Sequence, residues 1–299
     1  MKAIVVHEYG GPDVLKFEDY PDPVPGRGEV LVRVAAASVN PVDYKRRAGL
    51  TQEFYPIHFP GLIGVDVAGT VVKIGPGVEA FTVGNRVFAV ADNTYAELCV
   101  VKADILADVP EGLDLRRAAA LPLVTTTGNQ LLSATGISAG QTVMVIGAFG
   151  GVGRSAVFTA KELGATVIAG VLKRQMDEAN SLGADQVVAT DDTNAIADLP
   201  PLDAVADTVG GRTAETLIAK VKPGGTFASV LGAPANAARY SSVRVMPVFS
   251  KPDRNTLQFM AEAVRDGKLV IPISRELPLS KAAEAHSVAE KGRIGKILL

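Results

Sequence analysis

Apolar residues fall into short runs of strand length along the chain, and the residues that come after each run differ between its first third and its middle. In the middle, Val143-Met-Val-Ile146 breaks into the glycine cluster Gly147-Ala-Phe-Gly150-Gly151-Val152-Gly153. It then continues as Arg154 to Leu163 with helical spacing of apolar positions, which predicts a buried strand, a tight turn and an amphipathic helix. Leu163 to Gly170 reads as a helix end and a second strand, Gln175 to Leu182 as a second helix, and Gly183 to Thr190 as a third strand. Leu202 to Asp207, Gly224 to Gly232 and Val243 to Phe249 read as fourth, fifth and sixth strands, the last at an edge, with a helix over Asn255 to Gly267. Strands alternating with helices predict an α/β fold with a doubly wound parallel sheet, a Rossmann domain. The first third has no such alternation. Lys2–His7, Val30–Ala36, Gly69–Ile74 and Arg86–Ala91 are Val-rich runs set off by Pro21–Gly26, Gly75–Gly77 and Val83–Asn85, which predicts a separate, partly open β-barrel.

The glycine cluster carries the first chemistry. Glycines let the backbone turn sharply and approach a pyrophosphate, whose charge then meets the free N–H groups of a helix N-terminus. Gly147, Phe149, Gly150, Gly151, Val152 and Gly153 are therefore the expected dinucleotide-binding turn, although Gly147-x-x-Gly150-x-x-Gly153 is a displaced form of the strict motif. An NAD site carries an acid ~20 residues after the first glycine. Here Ala169-Gly-Val-Leu-Lys173-Arg174 has none, and the two cations suit a 2′-phosphate, Arg174 as a bidentate partner and Lys173 as a point charge. NADP(H) is the expected cofactor; solvated cations at a helix start are the alternative. Carboxyl ends of parallel strands line the ligand crevice, which adds Val209, Leu231 and Gly232, or else ordinary turns.

Composition narrows the class. A length of 299 residues with 47% apolar content suits two cores, and a net charge of −2 argues against nucleic acid or an anionic membrane as partner. No apolar run reaches the ~20 residues of a membrane span. Met1 to His7 is too short an apolar run for a signal peptide, and Cys99 is the one cysteine, so a cytoplasmic location without disulfides is expected.

Several ordered segments carry a family resemblance: Gly28-Glu-Val-Leu-Val-Arg-Val34, Asn40-Pro-Val-Asp43-Tyr-Lys-Arg-Arg-Ala-Gly49, Pro60 to Gly69, Val83-Gly-Asn-Arg-Val87, Tyr95-Ala-Glu97, Ala118 to Thr127 and Gly292 to Leu299. Together they resemble the medium-chain dehydrogenase/reductase superfamily, within it the zinc-independent quinone oxidoreductase and alkenal reductase branch. The resemblance implies a GroES-like partly open barrel, residues 1–120 and 265–299, around a Rossmann NADP(H)-binding domain, residues 121–264. It also implies a homodimer paired through the sixth-strand edge. Thr127, in the helix that the family uses to link the domains, is the threonine expected near the nicotinamide, or else a capping residue.

Zinc members of the superfamily place a cysteine where this chain has Asn40 and a His-Glu pair where it has Gly64-Val-Asp66. Zinc needs about four Cys, His or carboxylate ligands, and His7, His58 and His286 are scattered, so no metal site is expected. Without a Lewis acid, alcohol oxidation is disfavoured, and hydride transfer to a quinone or an α,β-unsaturated carbonyl is the expected reaction. Tyr44 and Lys45 follow the Asn-Pro-Val-Asp segment where the family lines its substrate site, and are the expected hydrogen-bond donors to the acceptor oxygen. A solvated Lys45-Arg46-Arg47 face is the alternative. Asn40 offers its amide to the nicotinamide ribose or the substrate, and Asn-Pro is also a plain turn start. An enoyl reductase for carrier-bound chains, and a non-catalytic NADPH-binding regulatory or crystallin-like protein, are the rival functions.

Overall fold

In the computed structural model, which describes residues 1–292 and 295–299, two compact units emerge: Met1–Leu123 with Pro252–Gly267 and Ile271–Leu299, and Val124–Lys251 with Lys268–Val270. Arg293 and Ile294, inside the C-terminal segment of the resemblance, lie outside the described residues.

The first unit begins with β1 (Lys2–Val6), β2 (Leu15–Asp19), β3 (Glu29–Ser38), helix α1 (Pro41–Arg47), β4 (Gly61–Leu62), β5 (Asp66–Ile74), β6 (Arg86–Val90), β7 (Leu98–Lys102), β8 (Ala107–Asp108) and helix α2 (Leu115–Ala118). β2, β4, β7 and β8 escaped the sequence reading: β4 and β8 are two residues long, and β2 and β7 are five-residue runs that end on the charged Asp19 and Lys102. Antiparallel pairing of β3 with β5 and β7, and of β5 with β6, buries Val30, Val32, Val67, Val71, Phe81, Val87 and Cys99. β1 pairs with β2 and β4 in a smaller sheet.

Helix α3 (Pro122–Thr135) leads to the second sheet: β9 (Thr142–Ile146), α4 (Gly151–Glu162), β10 (Thr166–Val171), α5 (Met176–Ala179), β11 (Gln186–Ala189), α6 (Thr193–Ala197), β12 (Leu202–Asp207), α7 (Gly211–Leu217), β13 (Val221–Ser229) and β14 (Arg244–Pro247). The order is β11-β10-β9-β12-β13-β14 and every pairing is parallel, a doubly wound sheet with its crossover between β9 and β12. Apolar clusters cover both faces, one around Leu131, Val143, Val157 and Val167, the other around Met144, Ile168, Leu217 and Phe227.

The chain then adds α8 (Arg254–Arg265), β15 (Ile273–Glu276), α9 (Ala282–Ala289) and β16 (Lys296–Leu298). α8 groups with the first unit. Its Arg254 lies 5.1 Å from the Phe81 ring and 3.5 Å from the Asp108 carboxylate. β16 pairs with β15 and β3, which extends the first unit's large sheet with the C-terminal segment.

Candidate functional site

In the second unit the chemistry gathers at the carboxyl ends of the strands. After β9 the chain turns at Gly147, with φ +74°, and the N–H groups of Gly147 and Ala148 donate to Gly170 O at 2.9 and 3.1 Å. A side chain at Gly147 would strike Thr208 Oγ1 at 2.3 Å, and one at Gly153 would strike Gly147 O at 2.2 Å. Small residues are thus required both where the turn meets the neighbouring strand end and where the helix crosses over it. Helix α4 has Gly150 as its N-cap with no side-chain cap, which leaves its first-turn N–H groups to an anion. Phe149 contributes main chain only, because its ring is buried in the core under the Arg154 guanidinium, 4.4 Å away. Gly151 and Val152 open the helix.

Around this turn stand the other expected residues. Thr127 is buried on α3, one residue before Gly128, which packs so tightly on α4 that an added Cβ would lie 2.5 Å from Val152 O. Lys173 and Arg174 are exposed after β10, in a short 3-10 turn of Lys173–Gln175 rather than ahead of a single helix. The predicted helix over 175–182 is broken into such turns around α5, which spans only Met176–Ala179. A carboxylate does reach this corner: Asp191, after β11, accepts the Lys173 N–H at 2.8 Å. Sequence spacing missed it because it comes from the next strand.

Val209 and Leu231 are half exposed after β12 and β13, and Gly232 comes next with φ +88°. They are held there by Asp207 and Ser229, both fully buried. Asp207 Oδ1 accepts the N–H groups of Val209 and Gly210, each at 2.9 Å, while Oδ2 accepts Ser229 Oγ at 2.7 Å. Ser229 Oγ in turn accepts the Leu231 N–H at 3.0 Å. One carboxylate therefore sets both strand-end turns. The Asp-x-x-Gly spacing of Asp207 and Gly210 was the available signal for it.

In the first unit the polar groups lie inside, around the start of α1. Asn40 is the N-cap, its N–H donating to Asp43 Oδ2 at 2.8 Å in a capping box. The Asn40 side chain is 1% exposed and fully engaged: Nδ2 donates to Ser38 O and Asp66 Oδ2, and Oδ1 accepts Lys296 Nζ at 2.6 Å. Inside this unit it thus joins Ser38, Asp66 and Lys296 and caps α1. The cations on α1 divide likewise. Arg46 and Arg47 are buried, Arg46 3.8 Å from the Tyr55 ring and Arg47 in an ion pair with Glu290 at 2.6 Å, so the helix presents no continuous solvated basic face.

Tyr44 and Lys45 are half-buried on the same helix. Burial first, then the charges of Glu290 and Asp43, raise the Tyr44 phenol above its ordinary range, so it stays a protonated donor at neutral pH. Below them runs a file of buried hydrogen bonds that sequence alone did not reveal. Tyr95 Oη donates to Asp43 Oδ2 at 3.0 Å, His286 Nε2 lies 3.3 Å from Tyr95 Oη, and Arg47 Nη1 lies 3.3 Å from His286 Nδ1. Burial pushes Asp43 up to about 7 and, with Arg47 adding to it, pushes His286 down to about 3. A neutral His286 that accepts from Arg47 and donates to Tyr95 fits both contacts.

Comparison with known proteins gives these two clusters a family. A zinc-binding dehydrogenase family model matches residues 182–299, and an alcohol dehydrogenase GroES-like domain model matches residues 26–111. An NADPH-dependent alkenal/one oxidoreductase from Arabidopsis thaliana chloroplasts is 33% identical, over 100% of this chain and 79% of its own length. A chloroplast envelope quinone oxidoreductase homolog of the same plant is 31% identical over 100% and 98%. The chain is a medium-chain dehydrogenase/reductase of the quinone oxidoreductase and alkenal reductase branch. Among solved structures, the quinone oxidoreductase from Coxiella burnetii matches this dehydrogenase/reductase with a TM-score of 0.89 and 31% identity, over 100% of this chain and 98% of that one.

The family description invites a test for zinc, and the donors of this dehydrogenase/reductase do not fit the metal. Among the described residues no group of three or more His, Cys, Asp and Glu converges. Asn40 and Asp66 both bond the Lys296 ammonium. No helix among the described residues is long and apolar enough to cross a membrane.

Proposed function

We propose that this protein is an NADPH-dependent, zinc-independent reductase of quinones or α,β-unsaturated carbonyls. The observation that carries the reading is the uncapped N-terminus of α4 with two exposed cations, Lys173 and Arg174, at the end of the adjacent strand β10. NADPH, when bound, supplies a hydride for an electrophilic carbon. The first-turn N–H groups of α4, at Gly151, Val152 and Gly153, hold the pyrophosphate, and Arg174 with Lys173 holds the 2′-phosphate. Val209, Leu231 and Gly232 offer an apolar rim that excludes water from the cofactor rings, with Thr127 contributing a hydrogen bond. The Tyr44 hydroxyl and the Lys45 ammonium donate to the acceptor oxygen as negative charge develops on it. Asn40 belongs to the scaffold that holds α1.

The names of the relatives support NADPH and the quinone or enone class. The lone cysteine, Cys99, is buried, and its thiol is pushed up to about 12 by burial first, which suits the cytoplasm we assign to the protein. β14 ends the parallel sheet with Arg244, Met246 and Pro247 exposed, and we assign a homodimer to that edge.

The test is NADPH and NADH oxidation by purified protein against a small quinone, a larger quinone and a short enal, with chelator present. Chelator-insensitive turnover that prefers NADPH is expected, with the best acceptor fixing the substrate class. In the same assay Tyr44→Phe and Lys45→Met should lower kcat/KM while NADPH affinity stays. Retained NADPH binding without turnover of any acceptor overturns the reading.

A further inference from the structure

Arg154 lies one turn into α4, and its N–H closes the first hydrogen bond of the helix on Gly150 O at 2.8 Å. Helical side chains tilt toward the N-terminus, and that of Arg154 folds back over the glycine turn. Its Nε donates to Phe149 O at 3.1 Å, and its guanidinium lies 4.4 Å from the centre of the Phe149 ring, within range of a cation–π contact. The ring beneath is buried and belongs to the apolar cluster that Met176 and Ala179 of α5 join. Arg154 therefore covers the seam between the start of α4 and the segment that follows β10. Burial lowers its guanidinium from the ordinary arginine range while the charge of exposed Glu178, on α5, opposes that shift, and it stays a cation at neutral pH. Two contacts fix the group, yet neither is to an anion. Among the described residues its Nη1 and Nη2 have no partner.

We propose that Arg154 is a third cation of the 2′-phosphate site, set between the N–H groups that open α4 and the pair Lys173 and Arg174. The turn after β9 bonds Gly170 O through Gly147 and Ala148, so it lies against the end of β10, from which Lys173 and Arg174 emerge. A phosphate monoester carries roughly −1.5 to −2 charges at neutral pH, more than one cation balances. Lys173 and Arg174 are exposed on a short 3-10 turn, and ordering them on binding costs entropy. The Arg154 guanidinium is already seated on the Phe149 ring and carbonyl, so its Nη groups are presented in place. Phe149 thereby serves the cofactor through the cation it seats as well as through its main chain. That role rests on NADPH as the cofactor, and binding alone reports it, whatever the acceptor.

The test is calorimetric titration of the purified protein with NADPH, NADH and 2′,5′-ADP in the parent, in Arg154→Gln, which keeps a stem over Phe149 without the charge, and in Arg154→Lys. Arg154→Gln should weaken NADPH roughly 10-fold and NADH less than about twofold, with the far-UV circular dichroism of the parent. 2′,5′-ADP carries the 2′-phosphate without the nicotinamide and should lose affinity by the same factor as NADPH. Arg154→Lys keeps a point charge without the planar guanidinium and should fall between the parent and Arg154→Gln. Unchanged NADPH affinity in Arg154→Gln overturns the proposal, and so does an equal loss for NADPH and NADH, which would put Arg154 on the pyrophosphate or in the fold alone. A parent that binds no NADPH overturns the cofactor reading and this role with it, whereas a parent that binds NADPH beside an unaffected Arg154→Gln overturns the role of Arg154 only. Should Arg154→Gln not fold, Arg154→Lys decides: a lower preference for NADPH over NADH than in the parent supports the role, and a parent-like preference overturns it.

Discussion

Each unit buries one aspartate completely against a serine hydroxyl, Asp66 with Ser38 and Asp207 with Ser229, yet the two carboxylates are satisfied by different means. Asp207 takes its other bonds from main-chain N–H groups two and three residues ahead, so it needs no cation and organises the loops it bonds. Asp66 draws on residues 38, 40, 123 and 296, one of them charged. A carboxylate that shapes a local turn can rely on the backbone; one that ties distant segments together here relies on an ammonium. Asp43 is a third case, buried and bonded by Asn40 N–H and Tyr95, where burial outweighs these bonds and the charge of Lys296 and pushes its acidity up to about 7.

The largest effects should separate the first two. Asp66→Ala strands the Lys296 ammonium and should cost about 3–5 kcal/mol in denaturant melts. Asp207→Ala frees three donors and should cost about 1–3 kcal/mol, together with a loss of NADPH affinity from the loosened turns. Equal costs for both would break the contrast. Next in size, Arg174→Ala should weaken NADPH about 10- to 100-fold with little change in NADH binding or in Tm; equal loss for both cofactors removes the 2′-phosphate assignment.

The pH limbs come after that. An unfolded histidine takes a proton near pH 6.5 while His286 in the fold takes one at about 3, so its stability contribution is present above the first value and lost as pH falls toward the second. Asp43 works in the opposite direction. It keeps its proton in the fold up to about 7, so the fold is favoured below the ordinary carboxylate range and loses that contribution as pH rises through 7. Urea melts across pH should show the acid limb flattened in His286→Gln and the neutral limb flattened in Asp43→Asn. The smallest effect is expected at Asp191→Asn, which removes an anion beside Lys173 and should tighten NADPH by up to about fivefold; weaker NADPH binding would show that the carboxylate serves the site by holding the Lys173 main chain.

Much of the second unit was legible from residue order. Local rules determine it: apolar runs, glycines where the backbone turns or helices touch, cations after β10 and acids at turn starts act within a few residues of one another. The broken helix after Arg174 and the arrival of Asp191 were not legible, because they depend on how neighbouring strand ends meet. In the first unit the sequence alone determined β1, β3, β5 and β6 and the turns between Val-rich runs, with Asn40-Pro as a turn start. Only the tertiary structure decided that Arg46 and Arg47 are buried, that Asn40 is buried against Asp66, and that His286 and Lys296 return from the C-terminal segment to complete its polar interior. The physical reason is burial: a charge inside a protein must be compensated, and a partner more than two hundred residues away leaves no periodicity in the chain to announce it.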